Sequence, residues 1–133
     1  NRVINKLLTE SSAITSADMK VMQDNNFFLL AAEALPVLTD LLDKSKLNRE
    51  EKQVLEVLIN WNYFNNANEL APVYFEIWWN EFRRLLFDEL LDPALGLKQP
   101  TFYTIVQMLS TDSTSVFYDN LETPARETRA DIV

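Results

Sequence analysis

The chain has 133 residues, enough for one hydrophobic core, and its 47% hydrophobic and 24% charged residues are typical of a globular protein. It contains no His and no Cys, which excludes the usual zinc, haem and iron–sulfur ligand sets, a Ser-His-Asp triad and a Cys nucleophile. With 12 Lys and Arg against 20 Asp and Glu, the net charge is −8, so we expect no nucleic-acid partner.

Helical elements are predicted from the first residues onward. Apolar residues recur at helical spacing between Val3 and Leu8, and a polar connector follows at 10–14. Thr15 and Asp18 form a capping-box pattern, which predicts a second helix with Met19 and Met22 on one face.

The next two elements carry apolar stripes. An apolar stripe from Phe27 to Leu42 predicts a helix that Pro36 should kink or split. Asn48, with Glu51 three residues later, predicts the start of a helix. The residues expected to be buried on that helix are Val54, Leu55, Leu58, Ile59 and Trp61.

The second half of the chain alternates helices with breakers. The Asn-rich stretch 62–68 predicts a loop, and Pro72 fits the first turn of a long helix reaching about Leu90. Residues 91–99, which include Pro93 and Gly96, should break it. Pro100 then starts another helix, 111–115 is a linker, and Thr123-Pro124 predicts a last helix still running at Val133.

These patterns predict an all-α fold, an irregular bundle of about five to seven helices forming one segment over residues 1–133. No alternating strand pairs are visible. The most apolar stretch, 27–42, is interrupted by Glu33, Pro36 and Asp40, so we expect no membrane span.

Three features suggest a piece of a larger protein. Both ends fall in predicted helices, the chain begins at Asn1 rather than Met, and the long helix is apolar nearly all round between Val73 and Phe87. The alternative is that this helix is simply the centre of a small bundle.

Two stretches in the first half carry a family resemblance. One runs from Thr15 to Met19, continues with Met22-Gln23, and ends with Ala31, Glu33, Leu35 and Pro36. The other is Leu58-Ile59-Asn60-Trp61. They resemble the Ser/Thr-x-x-Asp-Met, Leu/Met-Gln, Ala-x-x-x-Leu-Pro run and the Leu-x-x-Trp motif of the long β chain of penicillin acylases, which are N-terminal nucleophile amide hydrolases.

Two stretches in the second half resemble the same family in the same order. The run from Ala71 to Phe75, with Trp78, is similar to its helix of small residues, Phe and Trp. The ending is similar to the family's aromatic-Asp, Thr, Glu-Thr, Asp-Ile pattern, carried here by Phe117-Tyr118-Asp119, Thr123, Glu127-Thr128 and Asp131-Ile132. The departures are Asn25 and Phe28, where the family often has Asp and Ser, and Asn62, where Asp often follows the Trp.

The resemblance implies a mechanism whose parts lie elsewhere. In this family an N-terminal Ser of the β chain attacks the amide carbonyl with its own α-amino group as base, and backbone N–H groups and an Asn side chain form the oxyanion hole. Those residues belong upstream of the region matched here, and Asn1 has no nucleophilic oxygen. We therefore predict no catalytic, cofactor-binding or metal-ligating residue in this chain, and we interpret Arg2 as an ordinary surface residue.

Other candidate side chains have simpler interpretations. Gln23 is expected to bond backbone at a helix end. Glu76 and Glu81 should point apart. The acidic run of Asp88, Glu89 and Asp92 lacks a calcium-binding pattern and should be solvated. Ser110, Ser113 and Ser115 lie in no nucleophile motif and are expected to cap helices. Of the pair Trp78-Trp79, we expect mainly core packing, with one ring facing a neighbouring part of a parent enzyme.

The favoured hypothesis is thus a helical structural segment of an amide hydrolase. The resemblance implies a periplasmic or extracellular parent enzyme that is linked to antibiotic biosynthesis, acts on a small N-acyl substrate such as a penicillin or an acyl-homoserine lactone, and binds structural calcium. The partners would be its remaining α- and β-chain segments. The alternative is a free-standing acidic helical interaction module without catalysis.

Overall fold

The computed structural model describes residues 2–90, 94, 96–120 and 123–133, with only the backbone described at Glu89. Within these ranges the chain is all-helical, as the sequence predicts, and the only β-type pairing is an isolated bridge between Phe27 and Phe64. Seven α-helices are present there: α1 Arg2–Glu10, α2 Ser16–Gln23, α3 Leu29–Leu41, α4 Arg49–Ile59, α5 Ala71–Leu86, α6 Phe102–Thr111 and α7 Arg129–Ile132. Short 3₁₀ turns occupy Asp88–Leu90 and Val116–Tyr118.

Capping boxes fix the starts of α2 and α4, as predicted. The Thr15 hydroxyl accepts from the Asp18 N–H, and the Asp18 carboxylate accepts from the Thr15 N–H at 2.8 Å. The Asn48 side chain likewise accepts from the N–H groups of Glu50 and Glu51. These side chains satisfy N–H groups that have no partner inside the helix, so each start is encoded locally.

The sequence predicts that Pro36 kinks or splits α3. The helix does not split there, because it is continuous from Leu29 to Leu41. Proline removes one backbone hydrogen bond, but burial of the surrounding turns favours keeping the helix. Ala34 and Leu38 are fully buried on either side of Pro36. The helix also begins two residues after Phe27, which forms the bridge to Phe64 instead.

Two helix boundaries in the second half differ from prediction. Helix α5 ends at Leu86 rather than about Leu90, and α6 is capped by the Thr101 hydroxyl, which accepts from the Thr104 N–H, rather than started at Pro100. The predicted break at 91–99 lies partly outside the described residues.

The helix predicted from Thr123-Pro124 is absent: residues 123–125 form bends, and α7 begins at Arg129. The physical reason is that the Thr123 hydroxyl donates to Glu127 and faces the Ala125 carbonyl, so it caps no helix. The capping box that starts α7 is formed by Thr128 and Asp131.

The core lies where α3 packs on α6 and α4 packs on α5, with α7 added against α5. Phe75, at its centre, is fully buried and contacts Phe28, Trp61 and Trp79 through their rings. Ile59, which the sequence placed in the core, is 54% exposed, because Leu55 and Leu58 define the buried face of α4 and the adjacent position points elsewhere.

A backbone tie holds the α4–α5 loop against the segment before α3. The Phe28 N–H donates to the Tyr63 carbonyl at 2.7 Å, and the Asn65 N–H donates to the Asn26 carbonyl at 3.1 Å. Tyr63 has a positive φ of 65°, a left-handed conformation that is uncommon for a residue with a side chain. The loop 62–68, predicted from its asparagines, is thus shaped by long-range pairing as well as by local turns.

Helices α1 and α2 lie against this core without entering it. Neither contains a buried residue, and Ile4, Met19 and Val21 are exposed. Arg2 connects α1 to the rest by a two-pronged pair with Glu33 of α3 and by stacking 5.4 Å from the Tyr103 ring of α6. Arg2 is exposed, as expected of a surface residue, and it also contacts two other helices.

Candidate binding faces

Helix α5 carries apolar side chains on three sides. One side forms the core through Phe75, Trp79, Phe82 and Leu86, all at most 2% exposed. A second side presents the half-buried rings of Tyr74 and Trp78. The third side presents Leu70, Val73 and Ile77 to solvent, with exposures of 61%, 53% and 64%. A helix that exposes apolar residues opposite its buried face is typical of one with contacts on more than one side.

The second side of α5 forms one wall of an open groove of about 470 Å³. Leu55 and Leu58 of α4 form the floor, and Leu42, Leu47 and Val133 close the sides. Trp78 fixes one edge, since its indole N–H donates to the Val133 carbonyl at 3.2 Å. This volume is within the range of sites that bind small molecules or a few side chains of a partner.

The groove is apolar at its base and acidic at its rim. Among its described lining residues the only charged side chains are those of Glu50 and Glu51, at the start of α4. One Glu51 oxygen accepts from the Asn48 N–H at 2.8 Å, while the Glu50 carboxylate makes no hydrogen bond or ion pair within the described part of the chain. The rim therefore favours a positive charge.

The third side of α5 continues onto α4 to form what we call the outer stripe, made of Val57, Leu70, Val73 and Ile77. Val57 and Leu70 line one shallow hollow of about 220 Å³. Residues three and four apart are neighbours on a helix surface, so Leu70, Val73 and Ile77 form a continuous row. All four side chains are exposed.

Carboxylates pin the segment that brings Val133 to the groove. Glu127 accepts from the Asn120 N–H at 3.0 Å and from the Thr123 hydroxyl, and its own N–H donates to Asp119 at 3.3 Å. The bond from the Thr123 hydroxyl, followed by the bond from the Asn120 N–H, lowers the pKa of Glu127. Arg129 adds a bond of 2.7 Å to the Leu109 carbonyl.

A buried tyrosine anchors the turn before this segment. The Tyr118 hydroxyl donates toward the Asp112 carbonyl at 2.7 Å and lies 3.2 Å from the Met108 carbonyl. Burial raises the pKa of this phenol, so it remains a neutral donor. Its role is structural.

The serine candidates are in helix and turn positions without the predicted capping role. Ser110 donates to the Val106 carbonyl inside α6 at 2.8 Å, and Ser115 lies 3.4 Å from the Met108 sulfur. Ser113 is exposed in the turn after α6, and Gln23 is exposed at the last position of α2. The structure does not bring these four side chains together.

The paired residues singled out in the sequence are separated by the fold. Glu81 binds Arg84 at 2.8 Å, a bond that is the main reason its pKa is lowered, while Glu76 is exposed. Trp79 is in the core and Trp78 is at the groove, as expected for one core ring and one outward ring. In the acidic run Asp88 begins a 3₁₀ turn, and Asp92 lies outside the described residues.

Two positions that depart from the family pattern keep a polar role. The Asn25 side-chain oxygen accepts from the Phe27 N–H at 3.0 Å, and the Asn62 side-chain oxygen accepts from the Phe64 N–H at 3.0 Å. An Asp oxygen could accept the same bonds, so Asn preserves both turns. Phe28, the third departure, packs edge-on against Trp61 and Phe75.

In the comparison with protein families, the model described as penicillin amidase matches residues 1–133. The chain belongs to the penicillin amidase family. Comparison with curated proteins and with solved structures gave no match. Membership confirms the resemblance recognised in the four stretches.

Within the described ranges, no group of three or more acidic side chains is placed to hold a metal ion, and no helix has the length and apolarity needed to cross a membrane. The described part of this penicillin amidase family chain presents two apolar faces, the groove and the outer stripe. The sequence predicted that α5 would be apolar all round. It missed the groove, because Val133 and Trp78 are 55 residues apart.

Proposed function

We propose that this chain is a helical structural segment of a penicillin-amidase-like enzyme that hydrolyses the amide bond of an N-acyl compound. The match over all 133 residues carries the proposal. The attacking group would be an N-terminal Ser located outside this chain, since the family's mechanism requires a hydroxyl nucleophile with an adjacent base.

The outer stripe supports this assignment. Burial of each large apolar side chain is worth roughly 1.5–3 kcal/mol, so four exposed ones on adjacent surfaces are best explained by a covering neighbour. In the proposed enzyme, the remaining α- and β-chain segments would supply that neighbour. The segment would then brace the part of the enzyme that holds the catalytic groups.

Further properties follow only from family membership and are proposed with it. They are a small N-acyl substrate, a periplasmic or extracellular location, a link to antibiotic biosynthesis, and structural calcium in the parent enzyme. The residues described here supply no acidic cluster for that ion.

Genomic sequencing combined with an activity assay tests the proposal. We expect an open reading frame that continues upstream to a Ser at an internal processing junction. The encoded enzyme should hydrolyse chromogenic N-acyl anilides, and changing that Ser to Ala should abolish turnover. Purified Asn1–Val133 should show none; a reading frame confined to this region, or turnover by the purified chain, would contradict the assignment.

The alternative is an acidic helical interaction module that works on its own, and the open groove is the observation that favours it. The two readings differ in the behaviour of the outer stripe. A module should be monomeric and unaffected when Ile77 is changed to Lys. A segment of the enzyme should lose assembly with the remaining chains when the same change is made in the full enzyme.

A further inference from the structure

We propose that the groove between α4 and α5 docks a polypeptide segment that combines apolar anchor side chains with a Lys or Arg. The inference rests on the proposed function, in which neighbouring segments of the enzyme surround this chain. It goes further by specifying the chemistry of the segment that occupies this face.

The apolar part of the argument comes from the groove floor and walls. Leu58 and Leu55 form a buried floor, and the partly exposed side chains of Leu47 and Val54 leave room above it. Leu47 is not part of the core cluster, so its exposed surface is available to a partner. A groove of about 470 Å³ accepts two or three aliphatic or aromatic side chains.

The charge of the partner follows from the rim. Glu50 and Glu51 carry the charged side chains lining the groove in the described structure, and no Lys or Arg joins them there. The nearby Lys46 is 4.0 Å from Asp43 and 3.9 Å from Asp131, so it neutralises other carboxylates. A segment with Asp or Glu at this rim would be repelled, whereas Lys or Arg would be attracted.

An aromatic wall adds to the same preference. Tyr74 and Trp78 are one helical turn apart on α5 and both line the groove. Their ring faces attract cations as well as apolar groups. A side chain with an aliphatic stem and a cationic end can use the rings and the carboxylates together.

The test uses three synthetic amphipathic peptides of about 14 residues, identical in their Leu positions but carrying Lys, Gln or Glu at the flanking positions. Binding to the 133-residue chain is measured by calorimetry and by the indole N–H signal of Trp78, assigned with Trp78→Phe. The Lys peptide should bind, and the Glu peptide should bind at least about tenfold more weakly. Equal binding of all three peptides would overturn the proposal.

Matched variants locate the effect. Glu50→Gln combined with Glu51→Gln should weaken binding of the Lys peptide by about three- to tenfold. Binding of the Gln peptide should not change, because Gln at position 51 keeps the capping geometry of α4. Glu56→Gln combined with Glu76→Gln removes the same two charges from exposed positions outside the groove and should change binding by less than about twofold. Equal losses in both variants would mean general attraction to an acidic chain and would reject the site.

Leu47→Ala tests the apolar half separately. It should weaken binding of the Lys peptide and of the Gln peptide by the same factor. An unchanged circular dichroism spectrum would show that the fold is intact. If sedimentation instead shows that the chain dimerises and that Leu47→Ala dissociates the dimer, the occupant is a second copy and the proposal fails. Neither outcome would bear on the proposed function, which is tested separately by the open reading frame and by the change of the upstream Ser to Ala.

Discussion

The N-terminal arm, residues 2–23 with α1 and α2, and the helical core formed by α3 to α6 are stabilised differently. The arm has amphipathic spacing and a complete capping box but no buried residue. The core has similar local signals and adds fully buried side chains such as Phe75 and Ile105. Local signals determine where a helix begins, whereas burial determines whether unfolding of that helix lowers the stability of the whole fold.

Replacing Phe75 by Ala should have the largest effect. The ring is fully buried among Phe28, Trp61 and Trp79, so its loss leaves a cavity and should lower the free energy of unfolding by about 3–5 kcal/mol. Urea denaturation followed by tryptophan fluorescence measures the change. The matched variant Phe102→Ala, at a ring that is 37% exposed, should cost less than about 1.5 kcal/mol; equal losses would contradict the described core.

Removing the two predicted caps should separate the arm from the core. Asn48→Ala deletes the acceptor for the Glu50 and Glu51 N–H groups and should lower the global stability by about 1 kcal/mol, because α4 packs on α5. Thr15→Ala deletes the equivalent bond at α2. It should reduce local helicity, seen in the Cα chemical shifts of residues 16–23, without moving the urea midpoint. A midpoint shift as large as that of Asn48→Ala would show that the arm unfolds with the core.

Acid should act weakly and locally on the arm and on the C-terminal segment that precedes α7. Hydrogen bonds from Thr15 lower the pKa of Asp18, and hydrogen bonds from Thr123 and Asn120 lower that of Glu127. The pKa of each carboxyl group is lower in the folded state than in the unfolded state. The stabilisation that each hydrogen-bonded carboxylate provides is therefore complete at pH values above the usual carboxyl pKa, and it is lost as the pH falls below about 4. The amide signals of Thr15 and Asn120 should therefore titrate with midpoints below those of free carboxyls.

Two single changes check the assignment of those titrations. Asp18→Asn should remove the titration of the Thr15 amide only, and Glu127→Gln that of the Asn120 amide only. In Glu127→Gln the indole N–H signal of Trp78 should also shift, because the segment that carries Val133 is held less tightly. Midpoints at or above the ordinary range would contradict the hydrogen bonds described here.

The all-α class, the order of the helices and two capping boxes could be predicted because they depend on residues within a few positions of one another. Thr15 with Asp18 and Asn48 with Glu51 are examples. Pro36 was misjudged because burial of the turns around it outweighs a local penalty, and Ile59 because a periodic stripe does not say which of two adjacent positions is buried. Thr123 was misjudged because its hydroxyl is occupied by Glu127, which sequence spacing alone does not reveal.

Of the two candidate faces, the sequence predicted the outer stripe in part but not the groove. Apolar residues outside the core face of α5 were visible in the sequence, and the exposures of Val73 and Ile77 confirm that part of the prediction. Glu76, Asn80 and Glu81 make the remainder of the surface polar. The groove requires Val133 to meet Trp78 and the start of α4 to lie beside both, which are contacts between residues distant in the chain. Patterns with periods of three and four residues carry no information on such distances.

The backbone tie between residues 26–28 and 63–65 has a consequence for cutting the chain. The exposed link at 43–46 lies within the stretch that the tie encloses, so a protease acting there would sever the polypeptide without separating the two sides. The pieces would stay associated through the paired main chains and the rings of Phe27 and Phe64. Cleavage at this link should therefore leave the two halves of the molecule held together by contacts that do not depend on an unbroken chain.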